Sequence, residues 1–318
     1  MSDDTASGAS RVKSTRVAAR VRLFGWIVGC FCTYVHARSA DPLELIVLGS
    51  GGPGALGRAS SSYVVLIDGT PRILVDAGSG AFVRIGEAKI ALDSLDLVLL
   101  THLHIDHASE LPGLMKARAV SSSGPIAFKI LGPAGSPGIG GGAYFPSTSR
   151  FVSLLFGPRG AFAYLHDFSA PITIEPHDVR APPGILSFGD FTVSTVGGHH
   201  GDAPAVIYRV DHAGKSITFS GDIDAEGIPA LRRIAAQTDL LVFHAVVLDP
   251  PDSPAVLYTL HTPPHAIGEL ARDAHVRRLL LSHLSPATDS GRDAVVTSIG
   301  RSYAGPVTLA EDAMHIRP

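Results

Sequence analysis

Cysteine is nearly absent from this chain of 318 residues, with Cys30 and Cys32 the two present. Two neighbouring thiols near the N-terminus build neither a disulfide framework nor a cysteine-rich zinc site. Charged residues are sparse, at 17%, and nearly balanced: 26 Lys and Arg face 29 Asp and Glu, for a net charge of −3. A dedicated nucleic-acid binder shows a basic excess, which is missing here. The low hydrophobicity of a disordered chain is missing too, since 45% of residues are hydrophobic. The 34 Gly follow no triplet period, which excludes a collagen-like chain. The apolar run Leu23 to Val35 has 13 residues. That is short of the roughly 17–25 that an ordinary membrane span needs.

What the chain does have is histidine, 15 in all. Their placement has to be read against the N-terminal segment first. Residues 1–22 are polar and basic, the apolar run follows, and small residues close it at Ala37, Ser39 and Ala40. That order describes a secretory signal. We expect residues 1–40 to be a signal or anchor segment and the protein to be periplasmic or otherwise exported. A cytoplasmic protein is expected only if that segment is a mis-assigned start. Residues 41–318 then carry 20 basic and 27 acidic residues, a net −7, so the working part is mildly acidic.

No internal repeat or long polar linker divides residues 41–318, which we read as a single domain. Strands are expected at Leu43–Leu48, Ser62–Asp68, Arg72–Asp76, residues 95–100, Ile126–Leu131 and Phe191–Val196. Ala205–Val210 and Ser216–Ser220 read as a hairpin around Asp211–Lys215. Ile228–Ala236 reads as a short helix, Leu240–His244 as a strand, and Pro263 and Pro264 suit the first turn of a helix to Ala274. Arg278–Ser282 is the next strand. Residues 135–160, rich in Gly, Pro and Ser, read as a loop or insert. Strands dominate the first half and alternate with helices in the second, which suggests a layered α/β fold. Gly49-Ser50-Gly51-Gly52-Pro53-Gly54 has the G-x-G-x-x-G spacing, but a nucleotide site needs a helix directly after it. The strand-like YVVLID follows instead, so a flexible turn is expected.

The apolar strand LDLVLL runs straight into Thr101-His102-Leu103-His104-Ile105-Asp106-His107. In extended backbone His102, His104 and Asp106 point one way, and His107 turns into the next segment. Imidazole nitrogens and a carboxylate oxygen meeting at a strand mouth are ligands that zinc accepts.

His102-x-His104-x-Asp106-His107 resembles the signature of the metallo-β-lactamase fold superfamily. Supporting elements recur in order: Ile73-Leu-Val-Asp76-Ala-Gly78, His199-His200-Gly-Asp-Ala-Pro204, Phe219-Ser-Gly221-Asp222 and Leu280-Leu-Ser-His283. The Gly-Ser-Gly-Gly-Pro start and the segment Pro204 to Arg209 look most like the ribonuclease Z, phosphodiesterase and arylsulfatase branch. The resemblance implies a four-layer αββα sandwich and a two-metal site for Zn2+, with Mn2+ or Fe as alternatives. His102, His104 and one of His199 and His200 would bind the first ion, with His200 preferred for the spacing that follows it. Asp106, His107 and His283 would bind the second, and Asp222 would bridge both. Asp76 either orients a ligand His or serves as a turn residue before Gly78. Asp106 and His261 are the candidate catalytic residues, His261 as a proton donor to the leaving oxygen.

A departure stands at Phe243-His244-Ala245, where ribonuclease Z proteins carry a His-Glu pair. The missing Glu and the scattered basic residues of 111–198 argue against transfer-RNA processing, which needs phosphate contacts. The expected function is therefore a binuclear zinc hydrolase acting on a small-molecule phosphodiester or related ester. The alternatives are a 3′-tRNA processing endoribonuclease, with nucleic acid as substrate, and a non-catalytic zinc-binding scaffold on the same fold. The resemblance admits a homodimer but fixes no oligomeric state.

Overall fold

Alternate residues of a strand face opposite sides of its sheet, and here both sides are apolar. The computed structural model describes residues 41–54, 56–138, 144–167, 171–180 and 182–318. Segment 1–40, read above as a signal or anchor, lies outside the described residues. The strands in chain order are β1 Leu43–Gly49, β2 Ser62–Ile67, β3 Thr70–Ala77, β4 Leu97–Leu99, β5 Ile126–Pro133, β6 Ile172–Val179, β7 Gly184–Ser187, β8 Thr192–His200, β9 Ala203–His212, β10 Lys215–Phe219, β11 Leu240–His244, β12 Leu279–Ser282, β13 Val307–Leu309 and β14 His315–Ile316. They form two seven-stranded sheets, ordered β14-β1-β2-β3-β4-β5-β6 and β13-β12-β11-β10-β9-β8-β7.

One row of each strand points between the sheets. Tyr63, Val65 and Ile67 of β2 meet Val206, Tyr208 and Val210 of β9 and Leu240 and Val242 of β11 in the central core. The other rows point outward. Val64, Leu74 and Val98 are covered by helices α1 (Ala81–Glu87), α3 (Leu111–Ser121) and α4 (Thr148–Phe156), with the one-turn α2 (Ile105–Ala108) between the first two. Ile207, Leu241 and Leu281 are covered by α5 (Ile228–Ile234), α6 (Pro264–Asp273) and α8 (Arg292–Gly300), with the short α7 (Pro286–Ser290) before the last. The layers run helix, sheet, sheet, helix, so the fold is the expected four-layer αββα sandwich. The described residues belong to one compact unit.

In each sheet a block of neighbouring strands is parallel: β3 to β6 in the first, β10 to β13 in the second. Parallel strands bring their carboxyl ends, and the loops that follow, to one edge of each sheet. The loops after β4, β10 and β12 carry the motif residues.

Among the elements that depart from expectation, three are instructive. Residues 135–160 are not all loop, because α4 lies within them. Its Ser147 N-cap accepts a hydrogen bond from the Arg150 amide, and Val152 and Phe156 are buried beneath it. The Gly, Pro and Ser around it hid a short amphipathic helix. Helix α3 is not among the expected elements, although Leu111, Leu114 and Met115 are buried on one side. Strand β6 is not among them either, because it is an edge strand with several exposed residues and an internal Pro176. The Gly49–Gly54 turn leads to β2 with no helix among the described residues between.

Candidate metal centre

Thr101 to His107 leave the end of β4 in a tight path fixed by Asp76, the penultimate residue of β3. The Asp76 carboxylate accepts from the Thr101 amide at 2.7 Å, from the Thr101 hydroxyl at 2.8 Å and from His107 Nδ1 at 2.8 Å. It is fully buried, with a left-handed φ of 56°. Of the two roles open to it, its side chain therefore performs the first, while its backbone makes the turn. Gly78 follows because a Cβ there would lie 2.1 Å from the Asp106 carbonyl oxygen. From the facing sheet Tyr208 donates to the Leu100 carbonyl at 3.0 Å, and the Val206 amide donates to the Thr101 carbonyl at 2.7 Å. Both ends of the loop's first turn are thus tied to the core.

The second sheet brings the remaining groups. Asp222 follows β10 after Gly221, whose φ is 59°. Asp222 Oδ2 lies 4.0 Å from His102 Nε2, 3.8 Å from His107 Nε2, 3.7 Å from His200 Nε2 and 3.5 Å from His283 Nε2. One carboxylate oxygen is therefore central to four ring nitrogens. His102, His104 and His200 form one ligand-sized group. His102 Nε2 and His104 Nδ1 are 3.1 Å apart. His107, His283, His244 and Asp222 itself form another. Asp106 Oδ2 lies 3.1 Å from His283 Nε2 and 3.5 Å from His107 Nε2.

His199 and His200 end β8, and neighbours on a strand point apart. His200 is the one in the cluster. It is buried, and its Nδ1 donates to the Leu260 carbonyl at 2.8 Å, which leaves Nε2 free to face Asp222. His199 turns away to Asp224, at 2.6 Å, and Glu226, at 3.3 Å. His261 packs against His200 with ring centroids 5.1 Å apart, and forms a third ligand-sized group with His200 and Asp222.

Two residues of the site were not foreseen in these roles. His244, at the end of β11, gives its Nδ1 proton to Asp222 Oδ1 at 2.7 Å. Its Nε2 meets the hydroxyl of Tyr63 at 3.1 Å. The signal for His244 was its place at a strand end among other motifs. Tyr63 carried none, since it sits in an apolar strand pattern.

The electrostatics suit a cation site. Burial alone would raise Asp222, but His283, the His244 hydrogen bond and His107 outweigh it and hold the carboxylate well below its usual range. Asp106 is opposed by burial in the same way, yet the His283 hydrogen bond, His107 and His283 bring it down to about 2. Burial pushes down His107 as well, but Asp76 and then Asp222 raise it to about 9. Burial dominates at His102 and at His261, and His261 is lowered to about 4. His107 Nε2, His261 Nδ1 and His283 Nδ1 are buried without hydrogen-bond partners. Buried polar atoms are rarely left so. Nitrogen and carboxylate donors, an orphaned ring nitrogen on His107 aimed at Asp222, and fixed opposite ring edges fit divalent metal.

Residues 56–283 match the family described as the Metallo-beta-lactamase superfamily. A protein named Ribonuclease Z from Mycobacterium sp. (strain KMS) is 29% identical over 268 residues, covering 79% of this chain and 87% of that one. Among solved structures, the metallo-beta-lactamase fold protein YhfI from Bacillus subtilis superposes with a TM-score of 0.64 at 18% identity, over 87% of this chain and 99% of that one. The short form of human tRNase Z gives 0.63 at 22% identity, over 86% and 99%. The chain belongs to the metallo-beta-lactamase superfamily, is similar to members of it named Ribonuclease Z, and is a metallo-hydrolase.

Proposed function

We propose that the centre is a binuclear zinc site that cleaves phosphodiester or related ester bonds in a small-molecule substrate. The observation that carries this reading is Asp222 Oδ2, set 3.5–4.0 Å from four ring nitrogens of two separate groups. A carboxylate so placed is suited to bridge two ions. His102, His104 and His200 would hold one, Asp106, His107 and His283 the other. The donor set of nitrogen and carboxylate favours zinc, with Mn2+ or Fe as the alternatives. When bound, such a pair supplies Lewis acidity and charge neutralisation at the ester.

The chain's own groups do the rest. Asp106 is a carboxylate at neutral pH and accepts a hydrogen bond from the attacking water, which orients it. His261 enters as a neutral imidazole, because burial lowers it to about 4. Its ring N–H donates a hydrogen bond to the leaving oxygen as negative charge builds there, and the proton that the attacking water loses to Asp106 is the one the leaving oxygen finally takes up.

A cavity of about 590 Å3 adjoins His283, lined by Gly52, Pro53, Val246, Leu257, Leu284 and Arg292 among others. It suits a small ester with an apolar substituent. Arg58 and Arg292 at its wall are both engaged by Asp289, at 2.9 and 2.5 Å, and Arg84 is paired with Glu87 and Asp312. These cations are therefore committed rather than offered to a phosphate backbone. An exported location, as expected from residues 1–40, would also remove transfer RNA from reach.

The second reading is 3′-end cleavage of precursor tRNA, favoured by the relatives named Ribonuclease Z. Zinc-loaded protein assayed on bis(p-nitrophenyl) phosphate and on a precursor tRNA separates the two. We expect turnover of the first, lost on chelation and in Asp222→Ala. Cleavage of the tRNA alone would make the second reading correct, and zinc bound without turnover of any ester would leave the scaffold.

A further inference from the structure

The space between the two sheets is filled almost entirely by Leu, Ile, Val and Phe. Tyr63 and His244 place three polar atoms in it. Tyr63 is fully buried on β2, with its ring 5.7 Å from that of Phe219 and 6.2 Å from that of His244. His244 continues the inward row Leu240 and Val242 of β11 and is buried. Phe and Leu at these two places would fill the same space without desolvating anything, so packing does not account for the pair.

Their hydrogen bonds do. The Tyr63 hydroxyl donates to Ser282 Oγ at 2.7 Å and meets His244 Nε2 at 3.1 Å. His244 Nδ1 donates to Asp222 Oδ1 at 2.7 Å, and the His244 amide donates to Ser220 Oγ at 3.2 Å. Although His244 lies within ligand reach of His107, Asp222 and His283, both of its nitrogens are already engaged. Its Nδ1 faces Asp222 and its Nε2 faces the Tyr63 hydroxyl, so neither nitrogen is turned toward an ion. A free Asp carboxylate rotates about its last torsion and presents either oxygen. With Oδ1 tied to His244, only Oδ2 faces the four ring nitrogens.

We propose that Tyr63 and His244 are positioning residues that form a strut across the sandwich and fix the Asp222 carboxylate for metal. The strut starts on the first sheet, crosses the core, and ends on a residue of the second. The inference rests on reading the centre as a metal site, and it assigns this chain a support not read from its motifs. Outer partners of metal ligands typically contribute about 10–100-fold in metal affinity.

The test is zinc affinity by competition with a chromophoric chelator, together with the absorption spectrum of the Co2+-substituted protein. The variants are Tyr63→Phe, His244→Asn and His244→Leu. Tyr63→Phe removes one oxygen and keeps the ring, so it preserves the packing. His244→Asn keeps a donor near Nδ1, and His244→Leu keeps none. We expect His244→Leu to bind zinc about 10–100-fold more weakly, with a changed Co2+ spectrum. Tyr63→Phe should lose less, and His244→Asn should recover part of the loss. A purely structural role would lower the melting temperature of the chelated variants while zinc affinity and Co2+ spectrum stayed those of the wild type. That result overturns the strut. A wild type that holds no zinc overturns the metal reading itself, which is a distinguishable failure.

Discussion

Asp76 and His107 stand 31 positions apart in sequence and meet at 2.8 Å, carboxylate oxygen to Nδ1, with neither exposed to solvent. The contact fixes which edge of the His107 ring faces Asp222. Asp76→Asn keeps the size but presents at most one acceptor oxygen to three donors. We expect zinc affinity to fall about 10–100-fold, measured by chelator competition. Unchanged affinity would reduce Asp76 to a turn residue.

The proton on His107 sets a pH dependence. In the metal-free protein its pKa is raised from 6.5 to about 9. Its contribution to stability is therefore complete below pH 6.5 and fades as the pH rises through 9. The melting temperature of chelated protein should drop between those values, more than in His107→Gln. Zinc binding at pH 7.5 should release protons, seen as a dependence of calorimetric heat on the buffer's ionisation enthalpy. Heat independent of buffer would place the proton elsewhere.

His199 and His200 are adjacent, yet their fates should diverge. His200→Ala removes a ring nitrogen 3.7 Å from Asp222 and should cost at least about 100-fold in kcat/KM, of the order a lost ligand partner commands. His199→Ala breaks a half-exposed contact with Asp224 and should change the same ratio by only a few-fold. Equal losses would mean that both rings serve the centre.

Two glycines test the walls. A methyl at Gly52 would lie 2.6 Å from His283 Cε1 and 2.8 Å from its Nδ1, against a side chain. A methyl at Gly78 would meet the Asp106 carbonyl oxygen, against backbone. Gly52→Ala should keep the fold and shift the ligand ring, lowering kcat more than the melting temperature. Gly78→Ala should destabilise by about 1–3 kcal/mol, measured by urea unfolding of the metal-free protein.

Much of this centre was legible because its candidate ligands are clustered in sequence or stand at strand ends. Four of them fall between His102 and His107, where an apolar strand stops abruptly. His200, Asp222 and His283 could be found only through the family likeness, because nothing local distinguishes them from a surface His or a turn Asp. Tyr63 was illegible for a different reason. A strand buried on both faces reads as apolar throughout, and a single Tyr in it gives no sign of which partner waits on the other sheet. Helix α4 was hidden by composition, since the Gly and Pro that bound it dilute its nine residues.

The crossing hydrogen bonds of Tyr63 and Tyr208 run in opposite directions between the sheets, one toward the second and one toward the first. Each half of the chain thus carries a buttress for the other half's candidate ligands. The candidate ligands come from both halves, so on the proposed reading ion capture would follow the meeting of the two halves during folding. An ion seated between them would then act as a clasp between the two sheets.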